Sequence, residues 1–394
     1  MSRLKKEDYN NSMRLESYDL ATFAGQLYQL NHQKILDAVT TPEYLLAKKV
    51  LACGCGDSFC AAACAKQAFL QLAQVPMEGM PAIELSRHYS GQDLDDTLLF
   101  SISSRGKTSR VVEATQRVKK LGKNTTAVAI VNFPESPLVD AADELLLIQM
   151  PKFECGPYTE HAPCQRSYFS TMFTMMLLAV RMGEVRGHYC ARQAEAYRQG
   201  MIDYAASFTR ELVDQNDDRM WQLAQTWVNF HHYEVVACGP EYPNAWFGAA
   251  KFVEAYGDLA TYENTENWPA TGPYAKDPQS IGTVVILDRE NEAFDLSVEV
   301  IGQMVALGRP TIVITDADAG AFPAGAEVFE IPSTPYRWAK PLMQYSPLGN
   351  LLGYISKMRG SSFYRYGDHE PFVRETMARM GGDPISNEPL LIVP

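Results

Sequence analysis

No stretch of this chain is apolar for long enough to cross a bilayer. The longest apolar run, around Met172–Met182, is interrupted by Thr174 and Arg181. The opening residues, MSRLKKEDYNN, contain no apolar h-region, so no secretory signal is expected. With that, the eight cysteines are expected as reduced thiols in the cytoplasm. Positive charge is scarce: 35 Lys and Arg stand against 47 Asp and Glu, a net charge of −12. Such a balance argues against general nucleic-acid binding. It leaves room for a small anion, because the local field of a cleft can oppose the net charge. A second metal-ligand pair is also missing. Cys53, Cys55, Cys60 and Cys64 crowd into twelve residues, but a zinc site joins two separated pairs. Cys60 and Cys64, at i and i+4, fit one buried helix face instead. Neither a metal nor a cofactor is expected.

What is present is a repeat. VLACG at Val50–Gly54 returns as VVACG at Val235–Gly239, 185 positions later. The apolar run LLFSIS at Leu98–Ser103 meets VVILD at Val284–Asp288, and KKLGKNTTAVAIV (119–131) is echoed by VALGRPTIVIT (305–315). Two copies of one α/β unit account for this, and 394 residues are enough for two domains with a large core. Strands are expected at 49–53, 98–103, 125–131 and 144–149, then at 234–238, 261–262, 283–287, 311–315 and 328–331. Helices are expected at 59–72, 109–121, 167–181, 190–215, 245–256, 294–307 and 347–358. Strand and helix alternating in this way predict parallel sheets with crossover helices on their faces. The boundaries read as an N-terminal helical segment 1–48 (Leu20, Phe23, Leu27 and Leu30 at helical spacing), a first unit 49–215, a second unit 216–358 and a tail 359–394.

Ligands of open parallel sheets bind beyond the carboxyl ends of the strands. Two loops of the first unit lie there: Gly54-Cys55-Gly56-Asp57-Ser58 and Ser103-Ser104-Arg105-Gly106-Lys107-Thr108. Hydroxyls, backbone N–H groups and the positive end of the following helix make an anion cradle. Gly106 permits close backbone approach, and Arg105 adds a bidentate donor for phosphate. The plainer alternative is that these Ser and Thr residues only cap helices. A nucleotide-binding loop fits less well. Gly106-Lys107-Thr108 resembles the end of a Walker A loop, but Ser101 stands where that motif needs glycine, and Phe59 stands where GxGxxG needs its third.

These residues resemble the SIS (sugar isomerase) family in a double-domain form, over about residues 45–360. Ser103-Ser104-Arg105-Gly106-Lys107-Thr108 is similar to the family loop S-x-S-G-x-T, with Arg105 at the third position, and Cys55-Gly56-Asp57-Ser58 is similar to C-G-x-S. The most specific stretch, Gly239 to Glu254 (GPEYPNAWFGAAKFVE), resembles the isomerase domain of glucosamine-6-phosphate synthase, G-R-G-x-x-Y-P-x-A-L-E-G-A-L-K-L-K-E, a layout shared with ketosamine-phosphate deglycases. The resemblance implies two SIS-type units, each a three-layer αβα, flavodoxin-like domain. It implies phosphate binding by Ser58, Ser103, Ser104, Arg105, Gly106 and Thr108. Glu254 would be the general base, with Lys251 beside it at i, i+3; an exposed surface ion pair is the bland alternative. The substrate class is a phosphorylated sugar or amino sugar, undergoing aldose–ketose isomerisation or deglycation; the alternative is a non-catalytic sugar-phosphate sensor.

One departure matters. The family's ring-opening histidine, in E-x-x-H-G-P, has no counterpart in Tyr262-Glu263-Asn264-Thr265-Glu266-Asn267-Trp268-Pro269. Glu263 or Glu266 is one expected substitute acid, His161 or His369 another, and a substrate that needs no ring opening, or is only bound, a third alternative. Arg166, in Gln165-Arg166-Ser167 where the family has S/T-x-K-S/A, is a further polar contact or a helix-start residue. His231 and His232 are expected to be structural. Phosphate is assigned to the first copy alone, because the second copy's loop Asp288–Asn291 is acidic. The resemblance also implies a homodimer, with loop 262–276 (Trp268, Pro269, Tyr274) crossing to a partner. In the synthases the C-terminal tail closes the sugar site, here the segment Gly381–Pro394.

Overall fold

The structure, a computed structural model, describes residues 5–365 and 389–393. His369 and most of the C-terminal tail lie outside the described residues. The chain runs α1 (Ser12–Asp37), α2 (Thr41–Leu46), β1 (Lys49–Gly54), α3 (Asp57–Cys64), the single turn α4 (Lys66–Ala68), β2 (Met77–Pro81) and β3 (Thr97–Ile102). It continues through α5 (Ser109–Leu121), β4 (Thr126–Val131), α6 (Pro137–Ala141), β5 (Glu144–Leu147), α7 (Gln165–Val185), α8 (Ala191–Ala206) and α9 (Arg210–Trp227). The second half holds β6 (His232–Ala237), α10 (Tyr242–Tyr256), β7 (Leu259–Asn264), α11 (Trp268–Thr271), β8 (Ile281–Leu287), α12 (Phe294–Ala306), β9 (Thr311–Thr315), β10 (Glu327–Glu330) and α13 (Leu348–Arg359).

The strands form two five-stranded parallel sheets flanked by helices, ordered β2-β1-β3-β4-β5 and β7-β6-β8-β9-β10. Each sheet thus has the 2-1-3-4-5 order of a flavodoxin-like fold. Register confirms the repeat. Val50 pairs with Leu98 and Leu98 with Thr126; in the other sheet Val235 pairs with Val284 and Val284 with Ile312. The central strands are buried almost end to end, as sheets covered on both faces require. Leu51, Leu99, Val111, Val118 and Ala129 form one core; Val236, Val285, Val300, Met304 and Val313 form another.

Three expectations need correction. β2 was not expected; its sequence, MEGMP, is short and interrupted by Glu78 and Gly79. Gly79 is there for packing, since a Cβ would lie 2.8 Å from the Cα of Ala63 on α3. The helix expected over 59–72 breaks after Cys64 and ends in a widened turn, Phe69–Ala73, closed by Gln74 at φ 53°. The helix expected over 190–215 is two helices, with Thr209 accepting the Leu212 N–H at the start of α9 (3.4 Å).

Contacts divide the described residues into two units. Residues 23–152, 168–202 and 389–393 carry the first sheet, and residues 5–22, 153–167 and 203–365 carry the second. Three of these boundaries fall within α1, α7 and α8, and one between β5 and α7.

Candidate functional site

In the β1–β5 unit, β1 and β3 are neighbours and their following loops straddle the point where strand order reverses. The first loop is tight: a Cβ on Gly54 would come within 2.7 Å of the Ser58 Cβ. Gly56, at φ 56°, opens α3 and leaves Ser58 half-buried in its first turn. The second loop is organised by its own side chains. The Ser103 and Thr108 hydroxyls lie 3.0 Å apart. Ser104 donates to Asn132 Oδ1 (2.8 Å), and Asn132 Nδ2 donates to the Ile148 carbonyl (2.9 Å). Thr108 stands at the N-cap of α5, yet its side chain makes no cap hydrogen bond, which removes the plain capping role there. Gly106 sits at φ 62°, and a Cβ would fall 2.0 Å from Ser136 Oγ. Ser103 is buried, Ser104 and Arg105 are exposed. The loops therefore place Ser58, Ser103, Ser104, Gly106 and Thr108 beyond the carboxyl ends of two neighbouring strands of one sheet. Asn132 was missed by sequence reasoning; its position just past the end of β4 was the available signal.

In the β6–β10 unit, α10 lies against β6, with Gly248 the point of close approach to Val235. Gly257, at φ 87°, ends the helix. Lys251 is 1% exposed; its Nζ lies 2.5 Å from Glu254 Oε2 and 4.8 Å from the centre of the Phe247 ring. The Glu254 side chain is 29% exposed. The pair is thus not solvated on the lysine's side: a buried amine pins a carboxylate that still reaches solvent.

The other candidates are placed as follows. Glu263, on edge strand β7, accepts the Asn264 N–H (2.7 Å); Glu266 is exposed. Trp268 is fully buried in its own unit's core, donating to Glu234 at 2.7 Å, so the expectation that it meets a partner is corrected. Tyr274 is 84% exposed. His161 is exposed and stacks on Tyr364 (5.5 Å). His231 and His232 are exposed rather than core residues. Arg166 is buried against Asp19 (2.7 Å) and the Phe153 ring (4.8 Å).

The acidic loop of the second copy is neutralised from within. Lys340 pairs with Asp288, with Glu290 (2.7 Å) and with Asp316 (2.9 Å), and Arg337 adds a contact to Asp288 at 3.3 Å. Beside them Glu241 is fully buried and accepts from Asn291 Nδ2 (2.8 Å) and Gln344 Nε2 (3.4 Å). Burial, reinforced by Asp288, pushes its carboxyl up to about 7. Among the described residues no group of three or more His, Cys, Asp or Glu side chains could hold a metal, and no helix is long and apolar enough to cross a membrane.

Comparison with known proteins bears on the fold and the family. Residues 44–181 match the SIS domain family. The glutamine–fructose-6-phosphate aminotransferase (isomerizing) of Clostridium tetani is 26% identical over 318 residues, covering 79% of this chain and 49% of the relative. The chain spans about half the length of the curated relatives it matches. The C-terminal domain of glucosamine-fructose-6-phosphate aminotransferase from Francisella tularensis has a similar fold, with TM-score 0.74, 18% identity, and 91% of this chain and 99% of that one covered. So does tagatose-6-phosphate ketose/aldose isomerase from Escherichia coli, with TM-score 0.66, 12% identity, and 92% and 95% covered. Residues 44–181 therefore form an SIS domain, and about four-fifths of the chain is homologous to part of the glutamine–fructose-6-phosphate aminotransferases.

Proposed function

We propose that this chain acts on a phosphorylated sugar or amino sugar, as an aldose–ketose isomerase or a ketosamine-phosphate deglycase, with Glu254 as general base. In this reading the β1–β5 unit holds the phosphate through Ser58, Ser103, Ser104, the Gly106 backbone and Thr108, with Arg105 in reach. Glu254 takes the proton from one of the two carbons, C1 or C2, of the open-chain sugar and returns it to the other through an enediol or enaminol. The observation that carries the reading is the Lys251–Glu254 pair. A lysine buried this completely is stabilised by its carboxylate partner. It holds that carboxylate at a fixed point on a rigid helix and balances the charge when the carboxylate has given up the proton. Such a pair suits the abstraction of a carbon-bound proton better than it suits a surface ion pair. The same reading makes the protein cytoplasmic and a homodimer, with phosphate assigned to the first copy alone.

One specific feature favours a second reading, a sugar-phosphate sensor without turnover: no histidine stands in Tyr262–Pro269, where the synthases have their ring-opening residue. Incubating the pure protein with 6-phosphosugars and ketosamine 6-phosphates, and following product by NMR, separates the two. Turnover by wild type that Glu254→Gln abolishes supports the enzyme. Tight binding without turnover supports the sensor.

A further inference from the structure

Residues 389–393 lie along α5 and are held there by their backbone. The Leu391 N–H donates to Glu113 Oε2 at 2.6 Å, and Arg117 Nε donates to the Val393 carbonyl at 2.6 Å. The side chains of Leu390 and Leu391 are exposed and those of Ile392 and Val393 half-buried, so at Leu391 the contact to α5 is made by main chain. The match is geometric. In an extended chain the N–H of one residue and the C=O of the residue two further on face the same side. Glu113 and Arg117, four apart on α5, likewise share one helix face. Both receptor side chains are buried.

Neither acts alone. Glu113 also accepts from Arg87 Nε (2.5 Å) and Arg110 Nη1 (2.7 Å), and Arg117 also donates to the carbonyls of Leu85 (2.8 Å) and Tyr89 (2.7 Å). The segment therefore completes a buried polar cluster joining α5 to residues 85–89. Arg110, one member, sits in the first turn of α5, two residues after Thr108 closes the candidate phosphate loop. A buried carboxylate that loses a donor, beside an arginine that loses an acceptor, is a strong reason for local structure to rearrange.

We propose that residues 389–393 are a clasp: by completing the Glu113–Arg117 receptor they hold the first turn of α5, and with it the loop Ser103–Thr108, in the ordered form. That this order serves phosphate binding rests on the function proposed above; the clasp itself does not.

The test is amide hydrogen exchange over residues 103–112 in the full chain. Leu391→Pro deletes the donated N–H; Leu391→Ala keeps the N–H and removes the same half-exposed side chain, so it controls for lost packing. Exchange in the proline variant should quicken on the order of tenfold, the scale of one lost hydrogen bond to a charged acceptor. The alanine variant should match wild type. In a chain cut after Asn387, a synthetic EPLLIVP peptide should slow exchange again. Unchanged exchange in Leu391→Pro, or equal quickening in Leu391→Ala, overturns the clasp. Calorimetry with inorganic phosphate runs beside it. A wild type that binds no phosphate sinks the phosphate reading alone, and one that binds it while Leu391→Pro binds more weakly joins the two.

Discussion

The hydroxyl of Thr108 lies 3.0 Å from that of Ser103 and caps nothing, although Thr108 stands at the head of α5. A residue used for stability at this position would normally accept an N–H of the first turn. Thr108→Val keeps the shape and removes the hydroxyl, so its cost to stability should stay near the ±0.5 kcal/mol typical of such sites. Affinity for a phosphosugar should fall by about tenfold or more, the loss of a hydrogen bond to a charged group. Calorimetry beside thermal melts reads both numbers. A lower melting temperature with unchanged affinity would assign the hydroxyl to structure.

Gly106 carries two separate constraints, and a double variant resolves them. Its φ of 62° disfavours any side chain, and a Cβ would meet Ser136 Oγ at 2.0 Å. Gly106→Ala should destabilise by about 1–2 kcal/mol from the backbone alone, with the clash added. Adding Ser136→Gly should recover the clash part only, because Ser136 contributes just a long 3.5 Å cap to Val139. Denaturant midpoints of Gly106→Ala, Ser136→Gly and the double variant check this; full recovery would show that φ carries no cost here.

The repeat was legible because burial dictates it. A strand covered on both faces must be apolar along its length, and Val50–Cys53 and Val235–Cys238 carry that pattern whatever their loops do. β2 was not legible, since a strand of five residues with Glu78 and Gly79 inside it reads as a turn. The phosphate loop could be read from its hydroxyls; the Asn132 that aims Ser104 carried only the weaker signal of its place just past β4, because it joins the loop from the neighbouring strand. Lys340 was invisible. It reaches Asp288 from 52 positions away, and the acidic loop it neutralises looks unpaired in the sequence.

Lys340 supports a stability prediction. It is the shared partner of Asp288 and Asp316, both buried. Lys340→Met leaves them facing each other with less compensation, and breaking such buried pairs costs about 3–5 kcal/mol. Urea denaturation should show it as a midpoint shift. Adding Asp288→Asn should restore part of the loss; if Lys340→Met alone is neutral, Arg337 carries the compensation.

Glu254→Gln should keep fold and binding while lowering turnover by on the order of 10²–10⁴, the usual contribution of one general base. The amide is nearly isosteric and its oxygen still accepts from Lys251. Glu263→Gln and Glu266→Gln belong in the same series. If either supplies the missing acid, its loss should slow cyclic substrates more than open-chain analogues. Wild-type turnover in all three variants would remove the carboxylates from the mechanism.

Stability of the β6–β10 unit should fall as pH rises from 5 to 8, the reverse of an ordinary acid-sensitive protein. Two buried carboxyls set the sign. Glu241 faces Asp288, Asn291 and Gln344, with Arg337 and Tyr204 nearby, and burial pushes it up to about 7. Glu16 is also pushed up to about 7 by burial, opposed by the N–H groups of Arg166 and Gln165 that it caps. In the unfolded chain both return to 4.5. Between these values the folded state holds more protons than the unfolded one, so the slope of stability with pH is negative. The stabilising proton is fully held below about 4.5 and its contribution is lost as pH rises through about 7, roughly 3 kcal/mol for each group. Carboxylates held below their ordinary value, such as Asp217 beside Arg14 and Asp316 beside Lys340, act in the opposite sense but only toward acid, below the range tested. Urea midpoints at pH 5 and pH 8 should therefore differ in wild type and converge in Glu16→Gln/Glu241→Gln, where the amides mimic the protonated acids at both values. A wild-type midpoint that is level or rising over this range would show that the two carboxyls ionise normally in the folded protein.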